Sequence, residues 1–171
     1  LDVDFESRAD VTTDEYLEMI EFKTAVLYAA AAAIPAMLLG CDEETVDALH
    51  GYGLDIGRAF QIQDDLLDLT VPSDELGKQR GSDLVEGKRT AITLHARNQG
   101  VDVDTLVSED PSDAEIEAAL GQLRDAGSIT FARETARDLI SSGKGRLEAL
   151  PENEARGLLE EIADFLVERS Y

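Results

Sequence analysis

The chain has 171 residues, of which 37 are acidic and 15 basic, for a formal net charge of −22. A field this negative excludes a general electrostatic footprint on nucleic acid or an anionic membrane, while 43% hydrophobic residues suffice to bury a core. Cys41 stands alone as a cysteine, so no intrachain disulfide forms and no zinc cluster is indicated.

In chain order, Leu1-Asp2-Val3-Asp4-Phe5-Glu6 has neither a basic start nor an apolar core and does not read as a signal peptide. Thr12, with Glu15 three residues on, predicts a helix start. That helix runs through Leu17, Ile20, Lys23, Thr24 and Leu27 to Leu39, where Gly40 stops it; Pro35 inside it predicts a kink near Ala31. Its uncharged stretch, Ala25 to Leu39, is mostly alanine and too short to span a bilayer, so it reads as a buried helix. A second helix is predicted from about Glu43 to Leu69, with Gly51, Gly53 and Gly57 permitting close packing and Val71-Pro72-Ser73 ending it. Asp74 to Thr90 reads as a structured loop, Thr90 to Arg97 as a short helix, and Asn98 to Asp110 as irregular chain. Ser112, with Glu115 completing a capping box, opens a helix that ends near Gly127. Ser128 to Leu150 and Glu152 to Arg169 are two amphipathic stretches split by Pro151. No strand alternation, repeat or linker appears, so the expectation is one all-α unit over residues 1–171 with no transmembrane segment, in the cytoplasm.

The basic residues are four lysines and eleven arginines. Abundant Asp and Glu beside scarce Lys is a composition suited to high-salt cytoplasm, where salt screens self-repulsion. Three of the lysines, Lys23, Lys78 and Lys88, fall in segments that carry chemistry on other grounds.

The first such segment is Phe60-Gln61-Ile62-Gln63-Asp64-Asp65-Leu66-Leu67-Asp68. On a helix, Asp64 and Asp68 are one turn apart with Asp65 beside them, and Gln61 lies one turn earlier. Three carboxylates this close repel each other unless a cation sits among them, and oxygen-only donors suit Mg²⁺ before Ca²⁺, shared with phosphate oxygens. A chance DDxxD has an expectation of roughly 0.2 in so acidic a chain, so the pair of aspartates alone would be read as a solvated face. The apolar Leu66 and Leu67 between the carboxylates and the preceding Phe60-Gln61 favour the cation. The second segment, Gly77 to Thr90, sets Lys78 and Lys88 among three glycines; it lacks the spacing of a P-loop, but a mobile glycine loop with lysines closes over phosphate as readily as it makes an ordinary polar connection. The third is Lys23-Thr24, a lysine at the edge of an apolar helix. It either pairs with Glu18, Glu21 or an aspartate, or, if the two long helices run antiparallel, meets the Asp64 face.

Together, Lys23-Thr24, FQIQDDLLD and GKQRGSDLVEGKRT resemble the C-terminal half of the trans-isoprenyl diphosphate synthases, the polyprenyl synthetase family, with FQIQDDLLD similar to the second aspartate-rich motif. Leu1-Asp2 resembles the end of the family's Gly-Gln-x-x-Asp segment. The resemblance implies half of an isoprenoid-synthase-type helical bundle. The family's first aspartate-rich motif and its paired arginines have no counterpart here, so the chain reads as a fragment ending naturally at Tyr171, inactive by itself. Ile34-Pro35-Ala36 departs from the Gly-Ala of many relatives.

The implied reaction is Mg²⁺-dependent prenyl transfer from an allylic diphosphate to isopentenyl diphosphate. The resemblance assigns Asp64, Asp65 and Asp68 to Mg²⁺, with Asp65 more remote and Asp2 a weak water-mediated candidate. It assigns Lys23 and Lys78 to the allylic diphosphate with Lys88 at longer range, and Thr24 and the Gln61 carbonyl to the cation. Phe60 either lies along a prenyl chain or fills the core, Asp83 braces the loop, and Arg80 and Arg89 are expected to be solvated. A homodimer is implied, and a geranylgeranyl or farnesyl product. Two other readings stay open, a non-catalytic helical partner and a terpene cyclase-like enzyme.

Overall fold

The helix-start signals are realised as hydrogen bonds. In the computed structural model, which describes residues 8, 10–72 and 80–168, the Glu15 N–H donates to Thr12 Oγ1 at 3.2 Å and the Thr12 N–H donates to the Glu15 carboxylate at 2.9 Å. This capping box opens α1 (Thr13–Ile20), which passes through a π-helical turn, Glu21–Ala25, into α2 (Val26–Leu38). Pro35 sits inside α2 and the helix carries on past it to Leu38. The departure from α geometry falls earlier, at Glu21–Ala25, where no proline or glycine marks it. Asp42 Oδ1 accepts the Thr45 N–H at 2.8 Å and so caps α3 (Glu43–Thr70).

Beyond α3 come α4 (Ser82–Val85), α5 (Ala91–Asn98), a 3₁₀ turn at Val103–Thr105, α6 (Asp113–Asp125), α7 (Ser128–Arg146), a 3₁₀ turn at Leu147–Ala149 and α8 (Glu154–Glu168). Ser112 and Glu115 make the predicted capping box of α6, and Thr90 and Thr93 make another at α5. Every regular element among the described residues is helical. No helix among them is long and apolar enough to cross a membrane.

The chain packs as two units. One draws on the described residues within Leu1–Met19 and Ile62–Glu134, the other on those within Ile20–Gln61 and Thr135–Arg169. In the first, Ile62, Leu66 and Leu69 of α3, Ile92 and Leu94 of α5, and Ile116, Leu120 and Leu123 of α6 are buried. In the second, Tyr52, Ile56 and Ala59 of α3 form a core with Ile140 of α7, Leu147 of the 3₁₀ turn after it and Ala163 of α8, and Tyr28 and Ala32 of α2 pack against it. Glycine sets how near α2 and α3 approach. A β-carbon built on Gly53 would lie 2.4 Å from the Ala29 Cα, closer than any real contact. Because Gly53 faces Ala29 and Gly57 faces Ala25, the two helices run antiparallel. Phe22, Leu27, Ile34, Met37, Leu38 and Leu39, and on α8 Leu158, Ile162 and Phe165, leave apolar side chains exposed.

Candidate functional site

In the first unit, the last turns of α3 carry the three aspartates, and helical spacing separates their environments. Asp64 is exposed, whereas Asp65 and Asp68 are 7% and 1% exposed. Each buried carboxylate is held by donors. Tyr16 Oη donates to Asp65 Oδ2 at 2.6 Å. Burial, followed by the negative charge of Asp65, pushes the Tyr16 phenol well above its ordinary pKa, so the hydroxyl keeps its proton and remains a donor. Asp68 Oδ1 accepts from Ser82 Oγ at 2.7 Å and Oδ2 from the Asp83 N–H at 3.1 Å. The Asp68 backbone carbonyl accepts the Gly81 N–H at 2.8 Å. Gly81 takes φ +73°, a left-handed conformation that glycine adopts without steric cost, and this turns the chain into α4 beside Asp68.

Lys88, placed by the same loop, donates to Asp83 Oδ1 at 2.6 Å and lies 2.9 Å from Glu86 Oε2. Burial disfavours its charge, but hydrogen bonds to Asp83 and Glu86 outweigh this and hold its pKa above the usual lysine value. Asp83 therefore braces the loop. Arg80 and Arg89 are not the solvated loop charges that the sequence suggests. Arg80 Nε donates to the Leu69 carbonyl at 2.7 Å and its Nη1 to Glu117 at 3.0 Å. The Arg89 side chain is 10% exposed and donates to Asp104 at 2.6 Å, which holds that carboxyl below its ordinary pKa. Both tie the loop after α3 to the rest of its unit. Gly77, Lys78 and Asp2 lie outside the described residues.

In the second unit, Lys23 and Thr24 sit on the π-helical turn. Lys23 is exposed. Thr24 Oγ1 donates to Gln61 Oε1 at 3.0 Å, so the hydroxyl spends its proton on Gln61 and keeps its lone pairs for another partner. Glu21, one of the partners considered for Lys23, pairs with Arg58. Phe60 is half-buried, with its ring 5.5 Å from that of Tyr28 in a tilted arrangement.

Tyr16, Ser82 and Arg58 were not legible as functional partners in the sequence. Each meets its partner across a chain separation of 14 residues or more, and nothing local names that partner. The donors along Asp64, Asp65 and Asp68 are oxygen alone, and the exposed carboxylate is Asp64. Among the described residues, no three His, Cys, Asp or Glu side chains are grouped so as to hold a metal ion, so Asp64, Asp65 and Asp68 do not converge on one point as the sequence suggests. Mg²⁺ takes one or two carboxylates and completes its octahedron with water and phosphate oxygens, so this donor set fits it in kind.

A family model described as polyprenyl synthetase matches residues 1–123, which include all the segments above. The chain is 82% identical over 171 residues to a geranylfarnesyl diphosphate synthase of Natronomonas pharaonis, covering 100% of this chain and 50% of that protein. It is 46% identical to a geranylgeranyl diphosphate synthase of Methanosarcina mazei, covering 100% of this chain and 53% of that protein. Among solved structures it is similar to a geranylgeranyl pyrophosphate synthetase of Geoglobus acetivorans, with a TM-score of 0.89 and 42% identity over 98% of this chain and 52% of that one. The chain spans about half the length of the curated relatives it matches. On the family match and these identities together, the chain belongs to the polyprenyl synthetase family.

Proposed function

We propose that the protein carrying this chain is a prenyltransferase that joins isopentenyl diphosphate to an allylic diphosphate. The allylic C–O bond breaks and its electron pair leaves with diphosphate. The double bond of isopentenyl diphosphate attacks the allylic carbon to form the new C–C bond, and the proton then lost goes to the released diphosphate. Asp64, with Asp65 and Asp68 alongside, would hold magnesium, which would supply positive charge where negative charge builds on the leaving group. Asp64 is the best direct ligand, because it is exposed while Asp65 and Asp68 are buried. Lys23 and Lys78 act on the diphosphate as point charges, with Lys88 at longer range. The Thr24 hydroxyl and the Gln61 carbonyl face the allylic cation with lone pairs and no full charge. Phe60 lies beside Tyr28 where it lines a chain or fills the core.

The observation that carries the reading is the exposed Asp64 flanked by two buried, hydrogen-bonded carboxylates in a chain of this family. Such a concentration of negative charge is costly without a cation. The 82% identity to a protein named geranylfarnesyl diphosphate synthase favours a product one isoprene unit longer than the geranylgeranyl diphosphate that composition and resemblance suggest. A cytoplasmic homodimer completes the proposal and rests on the resemblance.

The test is Asp64→Ala in the synthase that carries this chain. We expect kcat/KM to fall by about 3–4 kcal/mol of transition-state stabilisation, with the thermal midpoint unchanged. Wild-type turnover in that variant would remove Asp64 from the chemistry. The 171 residues expressed alone are expected to give no prenyl product, and product formed by them would show that the missing first motif is not required.

A further inference from the structure

The helix from Thr13 to Leu38 is not uniform. At Glu21–Ala25 it widens by one residue, with the Val26 N–H reaching back to the Glu21 carbonyl. A π turn of this kind rotates every later side chain by about 100° relative to an unbroken α-helix, because one residue corresponds to that angle. Such turns are rare and persist where neighbours hold them. Lys23 and Thr24 both lie within this one.

Helix α3 grips the turn at three places on one face. Arg58 Nη2 donates to Glu21 Oε2, at the first residue of the turn. Gln61 accepts from Thr24 at 3.0 Å. Next to Arg58, Gly57 lets the backbones close in, since a β-carbon there would sit 2.5 Å from the Ala25 Cα. Arg58 is itself held from behind. Its Nη1 lies 4.0 Å from Asp55 Oδ1, and Asp55, 3% exposed, accepts from Arg146 Nε at 2.7 Å and from Ser142 Oγ at 2.8 Å. Arg58 Nε is buried with no hydrogen-bond partner among the described residues, so the guanidinium is fixed by the carboxylates on its two sides rather than by a full set of acceptors. Two carboxylates balance two guanidiniums across the π turn, α3 and α7.

We propose that Arg58, clamped between Glu21 and Asp55, is a positioning residue that holds the π turn and so fixes the register in which Lys23 and Thr24 are presented. The proposal rests on the prenyl-transfer reading for its functional consequence. Its structural content, that the turn depends on the clamp, stands apart from that reading. Without the clamp the extra residue is released, the segment returns to α geometry, and Lys23 swings away from its present direction.

The experiment uses Arg58→Met, Glu21→Ala and Arg146→Met in the synthase that carries this chain. Arg146→Met breaks the same cluster at its far end and leaves Glu21 and Arg58 paired. Glu21→Ala removes a partly exposed side chain and is expected to fold even if Arg58→Met does not. Crystal structures of the variants read the hydrogen bonds of residues 21–25, and steady-state kinetics read KM for the allylic diphosphate separately from kcat. We expect Arg58→Met and Glu21→Ala to lose the Val26-to-Glu21 bond and raise KM at least tenfold. Arg146→Met should lower the thermal midpoint while keeping both the turn and KM. A π turn that survives in Glu21→Ala, or a KM that rises equally in Arg146→Met, would overturn the proposal. A wild-type enzyme that does not consume allylic diphosphate would instead overturn the prenyl-transfer reading, while the crystallographic arm would still decide the clamp.

Discussion

A buried carboxylate is stable only if donors replace the water it has lost. Asp65 and Asp68 show two ways of meeting that need: a phenol from another helix, and a hydroxyl with a backbone N–H from the following loop. The sequence makes the aspartates conspicuous, because they repeat at helical spacing. It does not reveal Tyr16 or Ser82, because a tyrosine among apolar residues and a serine in a loop look the same whether or not a carboxylate lies opposite. Tyr16→Phe removes one donor from Asp65 without leaving a void, and is expected to cost about 1–3 kcal/mol in urea unfolding. A change below about 0.5 kcal/mol would mean the hydroxyl is not a needed partner. Tyr52 gives a prediction with a definite sign. Burial, then the charge of Asp164, pushes its phenol from 10.0 to about 12. The unfolded chain releases this proton near pH 10 and the folded chain retains it to about 12, so across that window the unfolded state binds fewer protons and stability falls as pH rises. The contribution is fully present below pH 10. Tyr52→Phe should flatten the alkaline fall of the thermal midpoint, measured by circular dichroism between these pH values. Tyr16 shifts in the same direction, so some slope remains.

Helix ends were the most legible elements, because capping is local chemistry. Thr12 with Glu15, Ser112 with Glu115, and Gly40 and Gly127 beyond helix ends all occupy the expected roles. Ser112→Ala should cost about 1 kcal/mol by removing the α6 cap, measured as a shift in the chemical-denaturation midpoint. The π turn had no such signal. It depends on Arg58, Gln61 and Gly57 from another helix, and its own residues, Glu-Phe-Lys-Thr-Ala, fit an ordinary α-helix. Pro35 is the residue that signals a break, yet α2 continues past it. The glycines of α3 were readable as packing positions, although not which partner they face. Gly53→Ala separates two opposing effects. Alanine favours the helix by about 1 kcal/mol, but its methyl would lie 2.4 Å from the Ala29 Cα. Backbone cannot move aside as a side-chain tip can, so overpacking should win by about 1–3 kcal/mol net, read as a lower thermal midpoint. A rise in the midpoint would show that α2 and α3 separate easily.

For the molecule as a whole, the charge of −22 governs behaviour in salt. Screening shortens the reach of self-repulsion to about 3 Å at 1 M, so the thermal midpoint should rise between 0.1 M and 3 M KCl. A flat or falling midpoint would contradict the high-salt reading of the composition. The all-α class and the family were evident from the sequence, because helical periodicity and three spaced motifs are encoded along the chain. The pairing of Arg80 and Arg89 with acidic partners was not, since arginine in a glycine-rich loop reads as solvated until tertiary contacts enclose it. The uncovered apolar residues at the end of α2 have a consequence of their own. Leu38 and Leu39 are 82% and 83% exposed, on the same polypeptide as an intensely acidic surface. Ions that quiet the carboxylates also drive oily patches together. These 171 residues in isolation therefore face salting-out in the very brines that firm up their core, and turbidity should set in at lower ammonium sulfate for them than for a Leu38→Gln, Leu39→Gln double variant.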